Sequence, residues 1–538
     1  MRRAVRDSAP TLLTVLLALT LAACGQPLPS GTVVIAVERD VGALLPVVEQ
    51  GSFDSEVNNL LYLGLNSQLW EDGVLKYVVD ELSLAESWEF APDSLSLTYR
   101  IWPSAVWSDG QPITSADVVF TYELIRRPEV ASPRIEFWEN LDSLVAVDDH
   151  NVTFFFKRRY PGMLFHTGVG IIPAHVFDGH TADNATLASH PTLVQPDSQT
   201  VVSGPFQVEE WRRGEQLVLV PNPRAFTGNP RLERVVFRIV PEETTRLVEL
   251  ENGSVDVINP VPVGAAAQLA ENPQFRVESV TQRYYDYIAW NGARYEPFTD
   301  PLVRLALSLA IDRDEIVAGL DIAPYARVAA GPYPPIFRVL ADPTLQPDPF
   351  LPDSARALLA AAGWSDSDGD GVLDRDGRSF EFTLLTQAGN ERRTSAAQVV
   401  QAQLAALGID MQVQAIEFGA LLDIMFATRE FDAVLLGWQV GLEPDYVVGL
   451  FWPSDHTFNI TGYASEAVDA AIERAMSSAT ASEAAPEWKA VARAIADDHP
   501  YAFLWYFSEL VGVNNRVQDT RINTYGVYQN LHRWKVER

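Results

Sequence analysis

Apolar positions along this chain recur at two spacings, alternate and helical, and segments of the two kinds succeed one another from residue 32 onward. TVVIAV (32–37) is a β-branched run that predicts a buried strand. LSLTYRI (95–101) and LVAVDDHNVTFFFK (144–157) alternate or cluster apolar residues around turns, which predicts antiparallel strands. Further strands are expected at 216–221, 234–241, 380–386, 409–416, 433–438, 503–507 and 510–514. Helices fall between them. Thr114 with Asp117 three residues later makes a capping-box start, and Val118, Tyr122 and Ile125 share one face. Asp300-Pro301 places an N-cap before a proline at N1 and opens a helix through LVRLALSLAIDRDEIV. DSARALLAAAG starts at Asp353 or Ser354 and stops at Gly363, and two late helices (465–477 and 483–498) precede Pro500. No repeat of solenoid period is present. The mixture predicts several α/β lobes with some antiparallel pairing.

The N-terminus departs from this pattern. Arg2, Arg3 and Arg6 precede a small and apolar run, 11–23, too short to span a bilayer as a mature helix. The run ends Leu21-Ala22-Ala23-Cys24, which resembles a bacterial lipobox, and Cys24 is the one cysteine of 538 residues. Cleavage before Cys24 would leave a lipid-bearing N-terminus, a linker at 24–31 and a protein held at the extracytoplasmic face of a membrane. With no other thiol, disulfides, Cys-ligated zinc and Cys nucleophiles are excluded. The net charge is −31, and it becomes −33 once residues 1–23 (three Arg, one Asp) are removed. Nucleic acid is therefore not an expected partner, because phosphate contacts need a basic surface.

The search for chemistry is mostly negative. The chain has no His-Glu-x-x-His, no Gly-x-Ser-x-Gly, no phosphate-cradling loop and no His pair at i, i+4. No catalytic residue is nominated. DSDGDGVLDRDG (366–377) matches the first half of a calcium loop at Asp366, Asp368, Asp370 and Gly371, with Asp374 at its ninth position. Gly377 stands where the bidentate glutamate belongs, so the loop reads as a solvated acidic turn with at most weak calcium affinity. No cofactor is expected.

LAESWEF (84–90) and WSDGQPITSADVVFTYELI (107–125) resemble a signature of the extracellular solute-binding proteins of family 5, receptors of peptide and nickel ABC importers. IIPAHVF (171–177), SGPFQVEEWRRGEQLVLVPNP (203–223), DPLVRLALSLAIDRDEIV (300–317), ARALLAAAGWSDSDGDGVLD (355–374) and GWQVGLEPD (437–445) agree in order. The resemblance implies an α/β, two-lobed periplasmic-binding-protein-like (type II) fold with an inserted subdomain. Lobe I would comprise 32–65, 201–283 and 501–538, the inserted subdomain 66–200, and the ligand-binding lobe II 284–500. The implied role is a monomeric receptor that captures a solute between lobes and passes it to a membrane permease. Implied ligand contacts are Trp438, Gly441, Glu443 and Asp445 in the Gly-Trp loop, Trp290 and Asn291 in a hinge strand, and Phe53 and Asp54 after the first strand. Trp452 and Trp505 are expected in the core. Peptide receptors of the family place an aspartate where this chain has Gly441, so a peptide ammonium would need Glu443 or Asp445 instead. Peptides lead the ligand reading, with oligosaccharides or another small solute as alternatives and a lipid-anchored hydrolase as the rival class.

Overall fold

The computed structural model describes residues 30–537, apart from 50, 72–73, 136, 161, 178–186, 188, 227, 341, 442–443, 453–455, 479–480 and 525. Cys24, the signal segment, most of the linker and Glu443 lie outside the described residues. Among those described, no helix is long and apolar enough to cross a membrane.

The β-branched run Thr32–Val37 is a fully buried strand, flanked in parallel by Arg234–Ile239 and Val257–Ile258. Gln216–Pro221 and Phe206–Arg212 continue that side antiparallel. On the other side stand Ala433–Gln439, Glu381–Gln387 and Asp410–Ile416. Two long antiparallel strands, Phe275–Trp290 and Tyr501–Asn514, join the halves into one eleven-stranded sheet. The expected strands 503–507 and 510–514 are thus a single strand.

The pairing of the two long strands breaks in the middle. Thr281 faces Ser508 and Tyr285 faces Tyr506, so residues 282–284 bulge opposite Phe507. A bulge bends its strand and raises the local twist. On one side of it, Val280, Val511 and Val513 pack in the core that holds Val33 and Ile35. On the other side, alternation divides the side chains between two cores, and a second register shift between Asp286 and Tyr287 puts the neighbours Leu504 and Trp505 in the same one. Ile288, Trp290, Ala502, Leu504 and Trp505 enter one, and Tyr285, Tyr287, Tyr501 and Phe503 the other. Tyr501–Trp505 thus pack in the same two cores as Tyr285–Trp290.

Residues 67–156 carry a hairpin (Ser67–Glu71 with Val74–Val78) and a four-stranded antiparallel sheet. The sheet order is Ala85–Phe90, Ser96–Ile101, Asn151–Phe156, Leu141–Ala146. Helix Ser115–Arg126 starts at the expected box, where Thr114 N donates to Asp117 Oδ2 at 2.9 Å. Its Tyr122 packs edge-on against Phe154, 5.0 Å between centroids, in a core shared with Val33. The segment after Asp300 differs from expectation, forming two helices, Pro301–Leu309 and Arg313–Gly319. Asp312 caps the second by accepting from Glu315 N at 2.9 Å. Buried Arg313 donates to Ser308 O and Ile311 O, tying the end of the first helix to the start of the second.

Candidate ligand-binding site

Two adjoining cavities, about 240 and 450 Å³, meet between the lobes and share Ser52, Glu56 and Arg283 as walls. The lobe I side supplies helix Ser52–Leu61, and the subdomain contributes Arg134, Phe165 and Gly168–Gly170. The C-terminal tail adds Asn523, Val527 and Tyr528. From across the cleft come Tyr284, Gln387, Asn390, Arg392, Arg393, Gln439 and Gly441. Ser52 Oγ donates to Gln439 Oε1 at 3.2 Å, and Arg158 Nη1 to Met476 O at 3.3 Å, so the cleft walls touch at both places.

A buried ionic cluster forms the lobe II wall. Asp286 is fully buried and accepts from Arg393 Nε (2.9 Å), Arg392 Nη2 (3.1 Å), Trp505 Nε1 (2.8 Å) and the Tyr284 hydroxyl (3.1 Å). Burial pushes the Asp286 carboxyl up, and the charge of Arg392 pulls against it. Burial lowers Arg393 to about 10. Gly437, paired with Asp286 in the neighbouring strand, makes room for this cluster. A Cβ there would collide with the Tyr284 hydroxyl and approach Arg393 Nη2 to 2.8 Å.

The opposite wall is acidic. Glu56 Oε2 accepts from Tyr528 N at 2.7 Å, and burial, reinforced by the nearby charge of Glu509, raises its carboxyl to about 7. Glu49 is also buried, where it bonds Arg134, Ser55 Oγ (2.6 Å) and Asn58 Nδ2 (2.8 Å).

The residues expected to bind are distributed unevenly. Phe53 lines the larger cavity, set edge-on to Phe237 and Tyr528 at 5.7 and 6.0 Å. Asp54, 3% exposed, faces back to Arg39 at 3.0 Å. Gly441 lines the smaller cavity. Trp438 stacks on Tyr287, 6.0 Å and 6° apart, with Phe426 and Phe458 beside it, while the next residue, Gln439, faces the cleft. Asp445 lies in the turn Pro444–Tyr446, raised to about 6 by burial, and its charge is felt by Tyr160 and Tyr333. Trp290 and Asn291 stand apart from the cleft. Trp290 packs on Phe298 (5.2 Å), and Asn291 Nδ2 donates to Phe431 O (2.8 Å). Seven residues of strand, roughly 23 Å, separate Trp290 from cleft-lining Arg283. Trp505 is buried as expected, and Trp452 packs half-buried on the aromatic core.

Sequence reasoning did not find Glu56, Arg283, Arg392, Arg393 or Glu509. One signal was available. Arg392 and Arg393 fall in the first turn of helix Glu391–Ala405, where the helix dipole disfavours cations. Such a local conflict marks a site held by something other than helix propensity.

A two-lobed fold with a charged cleft at its hinge defines a solute-capturing class of protein. The family model for bacterial extracellular solute-binding proteins, family 5 (middle region), matches residues 81–459. The chain belongs to this family. It is 28% identical over 518 residues to the oligopeptide-binding protein AppA of Bacillus subtilis, covering 95% of this chain and 92% of that one. It is 26% identical over 459 residues to the glutathione-binding protein GsiB of Salmonella typhimurium, covering 82% and 83%. The structure of Bacillus subtilis AppA in complex with a nonapeptide superposes with TM-score 0.81 at 27% identity, over 95% of this chain and 100% of that one. NikZ of Campylobacter jejuni, solved with Ni(L-His), shares the fold at TM-score 0.82 and 24% identity, over 94% and 100%.

The acidic loop lies away from this cleft. Carboxylate oxygens of Asp366, Asp368 and Asp370 come within 4.8 Å of one another, all on exposed residues. Asp366 accepts from Gly369 N (2.7 Å) and Gly371 N (3.2 Å), and Asp370 from Val372 N (2.8 Å). Asp374 is bound by Ser367 Oγ and N at 2.7 and 2.8 Å, which hold its carboxyl below the usual range. Gly377, at φ +74°, turns the hairpin between Asp374–Arg375 and Arg378–Ser379. A tight turn occupies the place of the twelfth ligand. A chelator is expected to leave the melting temperature unchanged. A chelator-induced drop that Asn substitution at 366, 368 and 370 removes would show a calcium site instead.

Proposed function

We propose that this protein is the substrate-binding receptor of an ABC importer, capturing peptides in the inter-lobe cleft and delivering them to a membrane permease without chemical turnover. The observation that carries the reading is the full-length match, in sequence and fold, to an oligopeptide-binding protein solved with its peptide. The cleft's chemistry supports it: it carries both carboxylate groups (Glu56, Glu509) and guanidinium groups (Arg283, Arg392, Arg393), which suit a zwitterionic chain. In this reading Ser52, Phe53, Tyr284, Gln439 and Gly441 contact the ligand, while Trp438 and Asp54 hold those contacts from behind. Lobe I comprises the segments around 32–65 and 201–283 and the tail beyond Phe507. The inserted subdomain spans 66–200, and the other lobe lies between the two hinge crossings. The receptor is a monomer, tethered outside the cytoplasm by lipid on Cys24.

Mass spectrometry of ligand co-purifying with the protein, followed by calorimetry with short peptides beside a panel of oligosaccharides, tests the proposal. Peptide binding is expected. Tight oligosaccharide binding with no response to any peptide would overturn it.

A further inference from the structure

We propose that Glu56, backed by Glu509, receives the ammonium group of the ligand, an inference that rests on the peptide reading above. Glu56 lines both cavities and stands where they meet. Its carboxylate is fixed from the tail: Tyr528 N donates to Oε2 at 2.7 Å, and a Cβ at Gly526 would come within 2.8 Å of the same oxygen. The tail is therefore built around this group, with a glycine where a side chain would displace it.

A second carboxylate stands near Glu56. Glu509, on the strand Tyr501–Asn514, lines the larger cavity and its charge opposes ionisation of Glu56. Arg283, from the facing strand, favours that ionisation, and it also donates to Val440 O at 3.3 Å. The main-chain N–H groups of Val527 and Tyr528 face Glu56 from the tail. Glu49 and Arg134 line the smaller cavity as a bonded pair. Among the described residues, Arg283 is the guanidinium set against Glu56, while Arg39, also on the larger cavity, is bonded to Asp54. A primary ammonium carries one positive charge and three donors, enough to bond both carboxylates at once. On the lobe II side the smaller cavity meets Gly441, which has no charge to give, and Asp445 is set among Tyr160 and Tyr333.

Proton linkage supplies an independent readout. With Glu56 raised to about 7 by burial, the unliganded carboxyl is partly protonated near neutral pH. An ammonium favours the ionised form, so binding drives a proton off. The proton release should peak below pH 7, between the liganded and unliganded titrations of Glu56, remain measurable at pH 7 and fade above pH 8, where Glu56 is already ionised.

The test is calorimetry at pH 7 in two buffers of different ionisation enthalpy. The probes are tri- and penta-alanine, free and N-acetylated, and an N-acetylated pentapeptide with one lysine. Glu56→Gln keeps the acceptor for Tyr528 N, and its fold is checked by circular dichroism. Wild type should prefer free over acetylated peptide at least tenfold and release protons on binding. Glu56→Gln should erase both the preference and the release while leaving acetylated peptide affinity unchanged. Asp445→Asn should retain both. Rescue of binding by the lysine peptide, lost in Glu56→Gln, would assign the site to side-chain ammonium groups as well. Discrimination that survives Glu56→Gln, or that vanishes in Asp445→Asn, would overturn the inference while leaving the peptide reading standing. No binding of any peptide to the wild type would overturn the peptide reading itself.

Discussion

Replacing Asp286 with alanine is expected to lower folding stability by about 3–5 kcal/mol, the range for removing one partner of a buried ion pair. Asp286 is fully buried at the centre of the hinge strand and is the shared acceptor for Arg392, Arg393, Trp505 and Tyr284. Without it two guanidinium groups, 21% and 7% exposed, would face each other with no anion between them. Burial already depresses Arg393 with the carboxylate in place, so its charge has little solvent to fall back on. Asp286→Asn keeps acceptor capacity and loses the charge, so its effect should fall between alanine and wild type. Urea unfolding followed by tryptophan fluorescence reports the change through its midpoint. A loss below about 1 kcal/mol in the alanine variant would show that both arginines reach water, since exposed pairs contribute no more than that.

Much of the framework around that cluster was legible in the sequence. Thr32–Val37, Gln216–Pro221 and Ala433–Gln439 announce themselves by β-branched or continuous apolar runs, because each is buried by sheet neighbours. Capping residues carried the helix starts: Asp300 accepts from Leu302 N at 2.9 Å where the sequence placed an N-cap. The break before Arg313–Gly319 was missed because the Asp312 cap falls within an apolar pattern that runs on past it. The long strand Tyr501–Asn514 was split for a different reason. Ser508 and Glu509 lie at its middle, opposite Thr281 and Val280, where the sheet borders the cleft and polar residues are tolerated. Binding residues were the least legible. Glu56 meets Tyr528 and Glu509 only through contacts more than 400 residues long in sequence, and no local motif encodes them. Trp438 illustrates the limit of reading a motif by its most conspicuous residue. The sterically constrained member of the pair is Gly437, which leaves space for Tyr284 and Arg393.

A peptide that binds should compact the protein and raise its melting temperature together. The two long strands carry the sheet from one lobe to the other, and both are irregular at the same level, at 282–284 and Phe507. Bending there changes the gap between walls with little disturbance of the four cores, since the fully buried members of each come from one side of the break and only partly buried residues such as Val263, Tyr325 and Trp70 reach across. Ligand contacts on both walls would favour the narrow form. Ser52–Gln439 and Arg158–Met476 are the cross-cleft bonds that opening would break. Solution scattering should therefore record a smaller radius of gyration with peptide than without. A ligand that binds the native state alone stabilises it by about 2.7 kcal/mol at a hundredfold excess over Kd. The thermal shift should grow with the logarithm of peptide concentration. Gln439→Ala and Arg158→Ala should loosen the unliganded form slightly and leave the liganded radius close to that of wild type, because the peptide itself then bridges the walls. A thermal shift with no change in radius would place the ligand in a rigid cleft and rule out closure at 282–284.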